Sequence, residues 1–114
     1  MKIAVLGGSG FIGSHLCDLL SSKGYNVNIF DKEKSKYKKK NQKMYVGSIL
    51  DRKKLSLAIK GCDFVYHFAA LADMDFARTR ALESAKINII GTINALAVCK
   101  KYNVKRFIFA SSIY

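Results

Sequence analysis

The feature that most constrains this chain is a glycine-rich turn between a short apolar run and an amphipathic stretch. The apolar run covers residues 3–6, and the turn reads Gly-Gly-Ser-Gly-Phe-Ile-Gly over residues 7–13. A continuous apolar run of this length is typical of a buried parallel strand. A helix that begins in glycines can bring its unpaired N–H groups close to an anion. The sequence therefore predicts a strand, a tight turn and a helix that together hold a pyrophosphate.

Three glycines have separate tasks in this prediction. Gly7 permits the tight turn after the strand, Gly10 lets the backbone approach a pyrophosphate, and Gly13 lets the helix pack against the sheet. The helix is predicted to end at Gly24. Its predicted apolar face, with a neighbouring row, consists of Phe11, Ile12, His15, Leu16, Leu19 and Leu20.

An acidic residue closes the second predicted strand, which covers residues 27–31. Asp31 lies eighteen residues after Gly13. A carboxylate at this place can accept hydrogen bonds from both hydroxyl groups of an adenosine ribose, and it would repel a 2′-phosphate. The predicted cofactor is therefore NAD rather than NADP. The alternative interpretation is a glycine-rich turn in an α/β protein that binds no nucleotide.

Beyond Asp31, strand and helix patterns continue to alternate. Strands are predicted at residues 43–46, 63–70 and 104–111. A short helix is predicted between an N-cap at Asp51 and Gly61, residues 71–80 form a polar connection, and a long helix covers residues 81–102. The predicted face of the long helix consists of Leu82, Ile89, Ile93 and Leu96, widened by Ile90, Ala97 and Val98.

This alternation predicts one α/β domain over residues 1–114, a doubly wound, Rossmann-like parallel sheet of about five strands with flanking helices. Ligands of such sheets bind beyond the carboxyl ends of the strands. We expect these ends to open onto one crevice; they carry Gly7, Asp31, Ser48, Phe68, Ala69, Ala70, Ser111 and Ser112.

The net charge of +12 is concentrated in one segment, because residues 32–43 contain seven lysines and one glutamate. Two interpretations stay open: a solvated lysine-rich loop, which we favour, and an electrostatic attractant for a nucleotide or nucleic acid. Cys17, Cys62 and Cys99 lie far apart with no Cys-x-x-Cys pair, which indicates reduced, buried thiols of a cytoplasmic protein and no metal site. No apolar run is long enough to predict a membrane span.

Several spaced motifs are similar to one family. They are G-x-x-G-F-I-G at residues 7–13, Asp31, H-F-A-A at residues 67–70, N-x-x-G-T-x-N at residues 88–94, and the serine pair at residues 111–112. With these motifs the chain resembles the N-terminal part of the extended short-chain dehydrogenase/reductases, in the NAD-dependent sugar-nucleotide epimerase/dehydratase group.

The resemblance implies roles for individual residues. Gly7, Gly10, Phe11, Ile12 and Gly13 match the pyrophosphate loop, and Asp31 with Lys32 matches the adenosine ribose site. Ser48 and Ile49 match the adenine contact, although the family usually has aspartate where Ser48 stands. Phe68, Ala69 and Ala70 match a wall of the cofactor cleft. Asn88 matches an asparagine that braces the active-site loop, and Ser112 matches the catalytic-site serine that orients a substrate hydroxyl; a turn serine and a locally bonded asparagine are the structural alternatives.

The family's general acid/base is the tyrosine of a Y-x-x-x-K motif, and none of the six tyrosines of this chain has a lysine four residues later. We therefore expect a partial chain without activity of its own, from a longer enzyme that acts on a nucleotide sugar. The family also suggests a homodimer through the helix at about 81–102. Two other functions stay open: a non-catalytic NAD(P)-binding regulator of the same fold, and a basic nucleic-acid-associated protein.

Overall fold

Five parallel strands form the centre of the chain, in the order β3-β2-β1-β4-β5. The computed structural model describes residues 1–35, 39–71 and 73–112. The strands are β1 (Lys2–Leu6), β2 (Asn26–Asp31), β3 (Gln42–Val46), β4 (Phe64–His67) and β5 (Arg106–Phe109). The chain winds outward from β1 in one direction and then crosses to the other side, so the predicted doubly wound α/β sheet is confirmed. The reversal between β1 and β4 is the place where such sheets bind ligands.

Helix α1 (Phe11–Ser22) covers one face of the sheet. Alternate strand residues such as Ile3, Val5 and Ile29 point toward it. The predicted apolar face of α1 is confirmed for Leu16 and Leu20, which pack on the core, and is wrong for Phe11 and Ile12, which are 82 % and 67 % exposed. Leu19 and His15 are exposed as well, and the buried row is Gly13, Cys17 and Leu20. Small residues in this row let the helix lie close to the sheet.

Helices α2 (Arg52–Ile59) and α5 (Gly91–Lys101) cover the opposite face, which holds the larger core. The predicted cap of α2 is confirmed, because Asp51 Oδ1 accepts hydrogen bonds from the backbone N–H groups of Lys53 and Lys54 at 3.1 and 3.2 Å. The buried residues of this face are Ala4, Leu6, Phe30, Ile49, Leu55, Ala58, Ile59, Cys62, Val65, Ala95, Val98 and Cys99.

The connection after β4 is more regular than predicted. Residues 71–80 contain helix α3 (Met74–Thr79), which is capped by the Asp73 side chain. Helix α4 (Ala81–Ala85), a π-helical turn (Lys86–Ile90) and α5 then follow without a break, in place of the single predicted helix.

The predicted apolar face of the long helix is wrong except at Val98, which is buried. Its four marker residues point outward with exposed fractions of 47–72 %: Leu82, Ile89, Ile93 and Leu96. The buried row consists of Gly91, Asn94, Ala95, Val98 and Cys99. As in α1, residues with small side chains face the sheet, because they allow the closest approach of helix and strands. We call the four outward-facing residues the apolar ridge.

The three cysteines are unpaired and buried, as predicted. Burial raises the pKa of Cys17 to about 12, of Cys62 to about 11 and of Cys99 to about 12. All three are therefore protonated near neutral pH and are poor nucleophiles.

The lysine-rich segment lies partly outside the described residues, which omit 36–38. Lys32, Lys34, Lys39 and Lys40 are exposed, whereas Gln42 and Lys43 belong to β3. In the described ranges, every helix is too short or too polar to cross a lipid bilayer.

Candidate functional site

A cavity of about 310 Å³ lies over the carboxyl ends of β1, β2, β3 and β4. Each strand end contributes to its wall, as the parallel topology predicts. The cavity brings together nine of the predicted site residues: Gly7, Gly10, Asp31, Lys32, Ser48, Ile49, Phe68, Ala69 and Ala70.

The glycine turn is shaped by backbone-to-backbone packing. Gly7 has a φ of +81°, and a Cβ there would lie 2.7 Å from the backbone nitrogen of Ala69 and 2.7 Å from the carbonyl carbon of Phe68. The Gly7 N–H donates to the Phe30 carbonyl oxygen at 2.7 Å. A Cβ on Gly13 would overlap the Gly7 carbonyl oxygen and lie 2.9 Å from the Gly8 Cα. The turn therefore has no room for side chains at residues 7 and 13.

The N-terminus of α1 lies at the rim of this cavity. Gly10 precedes the helix, lines the cavity and has no side chain that could cap the first turn. The first N–H groups of any helix lack acceptors within the helix, and the helix dipole adds partial positive charge there. This end of the cavity therefore favours an anion. Phe11, Ile12 and Gly13 belong to the same turn of helix but do not line the cavity.

Asp31 joins the end of β2 to the glycine turn. Its Oδ2 accepts a hydrogen bond from the Ser9 N–H at 3.1 Å, and its Oδ1 accepts one from the Glu33 N–H at 3.3 Å. Ser9 Oγ also donates to the Glu33 carbonyl oxygen at 2.8 Å. Each carboxylate oxygen has a second lone pair for a ligand. Sequence reasoning found Asp31 but missed Ser9, whose contact partner lies far along the chain.

The β3 side of the cavity is held by a buried asparagine that sequence reasoning did not assign. Asn94 Nδ2 donates to the Ile49 carbonyl oxygen at 3.2 Å, and Arg52 Nε donates to Asn94 Oδ1 at 2.7 Å. Ser48 precedes Ile49, and its Oγ accepts a hydrogen bond from the Leu50 N–H at 3.1 Å. Asn94 is the last residue of the N-x-x-G-T-x-N motif, and this motif is the sequence signal from which its role could have been suspected.

The β4 side is fastened by Asn88, which lies in the π-helical turn. Its Oδ1 accepts from the Leu71 N–H at 2.8 Å, and its Nδ2 donates to the Leu71 carbonyl oxygen at 3.1 Å. Leu71 lines the cavity, whereas Asn88 does not. The asparagine thus holds the segment that follows β4 through both backbone groups of one residue. Its part in an active site stays a prediction.

Two further lining residues, Glu83 and Ile87, were missed by sequence reasoning. Glu83 Oε2 forms an ion pair with Arg80 Nη1 at 3.3 Å, and both side chains are more than half exposed. An exposed pair of this kind contributes little to stability, but it offsets the negative charge at the cavity rim.

Ser112 follows β5, is exposed and does not line the cavity. Its role in orienting a substrate therefore stays a prediction. Across the ranges 1–35, 39–71 and 73–112, no three His, Cys, Asp or Glu side chains lie together as metal ligands.

His67 is buried beside the β4 end of the site, and its tautomer can be assigned. Its Nε2 lies 2.8 Å from Thr92 Oγ1, and that hydroxyl donates to the Asn88 carbonyl oxygen at 2.7 Å. Because the single hydroxyl hydrogen is used, His67 Nε2 must be the donor to Thr92. Nδ1 is then a buried acceptor without a hydrogen-bond partner among the described residues. Burial lowers the pKa of His67.

We expect this histidine to make the fold sensitive to acid. Its pKa in the folded chain lies below the unfolded value of about 6.5. Above that pH the imidazole is neutral in both states, so folding carries no protonation penalty. As pH falls below it, the unfolded chain binds a proton that the folded chain does not, and the folded state loses stability. The free energy of unfolding should fall by up to about 1.4 kcal/mol per pH unit in this window. Urea unfolding at pH 5–8 measures the slope, and His67→Gln, which keeps a donor for Thr92, should flatten it. An equal slope in the variant would contradict the assignment.

A family model described as "Epimerase: NAD dependent epimerase/dehydratase family" matches residues 3–114. The dTDP-D-glucose 4,6-dehydratase of Dictyostelium discoideum is 36 % identical over 97 % of this chain and 29 % of its own length. The chain thus spans less than a third of that relative.

Two solved structures have closely similar folds. UDP-glucose 4-epimerase of Thermotoga maritima, solved with UDP-glucose, has a TM-score of 0.90 at 37 % identity, covering 98 % of this chain and 38 % of that one. UDP-glucose 4-epimerase of Thermus thermophilus, solved with NAD, has a TM-score of 0.90 at 28 % identity, with the same two coverages of 98 % and 38 %.

Proposed function

The chain belongs to the NAD dependent epimerase/dehydratase family, and we propose that it forms the adenosine and pyrophosphate part of an NAD site. The observation that carries this proposal is the position of Asp31, whose carboxylate contacts the glycine turn at 3.1 Å on the wall of one cavity. This contact supports the proposal because it puts the candidate anion site and the candidate ribose-binding acid on the wall of the same cavity.

In this proposal the uncapped N-terminus of α1 and Gly10 bind the pyrophosphate. The remaining lone pairs of Asp31 accept hydrogen bonds from the two ribose hydroxyl groups. Lys32 lies at the same wall and adds positive charge. The carboxylate disfavours a 2′-phosphate at this place, so NAD is the preferred cofactor over NADP.

The activity of the longer protein is a further proposal, because this chain spans about a third of its relatives. NAD supplies a hydride acceptor when bound. We propose that the substrate is a nucleotide sugar, that Ser112 orients its reacting hydroxyl, and that Asn88 braces the neighbouring loop. Proton transfer needs a base with a pKa near working pH, and the Y-x-x-x-K pair that would supply it is not present in residues 1–114. We therefore expect no turnover by these residues alone.

We also propose that the apolar ridge is a homodimer surface. Its four large apolar side chains are exposed on α4, the π-helical turn and α5, and a second copy that covered them would remove apolar surface from water. The three unpaired cysteines support a cytoplasmic location, since thiols of this type persist in a reducing compartment.

The proposed adenosine and pyrophosphate site can be tested with fragments of the cofactor as ligands. Isothermal titration of the 114-residue chain should give dissociation constants for NAD and ADP-ribose that agree within about threefold, because adenosine and pyrophosphate carry the contacts. Nicotinamide mononucleotide should not bind measurably. Binding of nicotinamide mononucleotide, or failure of a folded sample to bind ADP-ribose, would contradict the proposed function.

A further inference from the structure

The β3 end of the cavity is where a purine base must lie if the proposed function is correct, and the following inference rests on that function. The pyrophosphate is placed at the turn after β1 and the ribose at the end of β2. Because β3 is the next strand outward, the base extends over residues that follow it. The wall there consists of Phe30, Lys32, Gly47, Ser48 and Ile49.

The side chains of this wall include no carboxylate. Phe30 and Ile49 are apolar, Gly47 has no side chain, and Lys32 can only donate. Two of the backbone acceptors each hold one hydrogen bond within the chain: the Ser48 carbonyl oxygen accepts from the Asp51 N–H at 2.9 Å, and the Ile49 carbonyl oxygen accepts from Asn94 at 3.2 Å. None of the side chains of this wall is therefore an acceptor-only group, which would specifically require an amino group on the base.

Ser48 is the side chain that can pair with either kind of base. Its Oγ already accepts the Leu50 N–H at 3.1 Å. A hydroxyl has one hydrogen and two lone pairs, so Ser48 keeps one donor and one acceptor for a ligand. The acceptor can pair with a 6-amino group, and the donor, together with Lys32, can pair with a 6-oxo group.

We infer that Ser48 makes this a base-tolerant site, which takes dinucleotides with a 6-oxopurine, such as hypoxanthine, nearly as well as those with adenine. A carboxylate at the same position would accept only and would exclude the 6-oxo base by leaving two acceptors opposed. The residue thus sets the base specificity of the cofactor site.

The test compares NAD with nicotinamide hypoxanthine dinucleotide by isothermal titration. In the unsubstituted chain the two dissociation constants should differ by less than fivefold. In Ser48→Asp the ratio should rise to tenfold or more in favour of NAD, while the aspartate still accepts the Leu50 N–H and preserves the turn. A ratio above fivefold in the unsubstituted chain would overturn the inference, as would a ratio that Ser48→Asp leaves unchanged.

Ser56→Asp is the matched control, because it adds the same charge on α2 away from the cavity wall. It should shift both dissociation constants together and leave their ratio unchanged. If neither dinucleotide binds to a folded sample, the proposed function fails and the inference falls with it. If NAD binds well and the hypoxanthine dinucleotide does not, only the base tolerance is refuted.

Discussion

Replacing Gly13 with alanine is expected to destabilise the chain by about 3 kcal/mol, at the upper end of the range for overpacking. The new methyl group would overlap the Gly7 carbonyl oxygen and approach the Gly8 Cα to 2.9 Å. Both obstacles are backbone atoms of the turn, so no side chain can rotate away to make room. The thermal midpoint, followed by circular dichroism, should fall by at least about 10 °C.

Gly10→Ala is the control for this prediction, since it adds the same methyl group to the same turn. Gly10 has an ordinary φ of −74°, and its Cβ would meet only the Gly7 carbonyl oxygen, at 3.3 Å. Its stability should change by no more than about 1 kcal/mol. Equal thermal midpoints for Gly10→Ala and Gly13→Ala would refute the close contact between α1 and the turn.

Asp31→Ala is expected to weaken NAD binding by tenfold to a hundredfold. Hydrogen bonds to a charged group contribute about 1.5–3 kcal/mol, and the ribose would lose its acceptors. The preference for NAD over NADP should also narrow, because the variant no longer repels a 2′-phosphate. Isothermal titration with both dinucleotides measures the two effects. Unchanged affinity for NAD would show that the ribose lies elsewhere.

The loss of loop contacts in Asp31→Ala needs its own control, since the carboxylate also accepts the Ser9 and Glu33 N–H groups at 3.1 and 3.3 Å. Ser9→Ala removes the hydroxyl bond to the Glu33 carbonyl oxygen and leaves Asp31 in place. Its affinity for NAD should change by less than about fivefold, because this bond contributes only about 1 kcal/mol to the loop. A loss in Ser9→Ala as large as in Asp31→Ala would assign the effect to loop order.

The alternation of strands and helices and the caps of α1 and α2 could be predicted from sequence, because apolar runs and capping residues are local signals. The predicted strands at 63–70 and 104–111 are longer than β4 and β5, which have four residues each. Asp51 caps α2, and Gly24, with a φ of +87°, follows α1, as their positions indicated. The helix faces could not be predicted in this way. Large apolar residues such as Phe11 and Leu82 dominate any periodicity, whereas the helix residues in the closest contacts, such as Gly13 against the glycine turn and Gly91 against Ile49, contribute almost nothing to it.

The residues of the candidate site also fall into those that could be predicted from sequence and those that could not. That Asp31, at the end of β2, and Ser48, just after β3, line one cavity could be predicted because parallel strand ends meet at one edge. Ser9, Asn94 and Glu83 could not, since their positions depend on contacts between elements that are distant in the chain. An asparagine within a helix gives no indication of which backbone group it will hold.

The glycine turn fits its surroundings through main-chain atoms, with Gly7 against the backbone of Phe68 and Ala69, and Gly13 against Gly7. The side chain that also holds this turn is Asp31, whose carboxylate accepts the Ser9 N–H at 3.1 Å. Most residues around the glycine turn can therefore change during evolution while the turn keeps its shape. Such a scaffold can acquire new substrates by changing the residues around the turn, and the turn itself can be inherited unchanged.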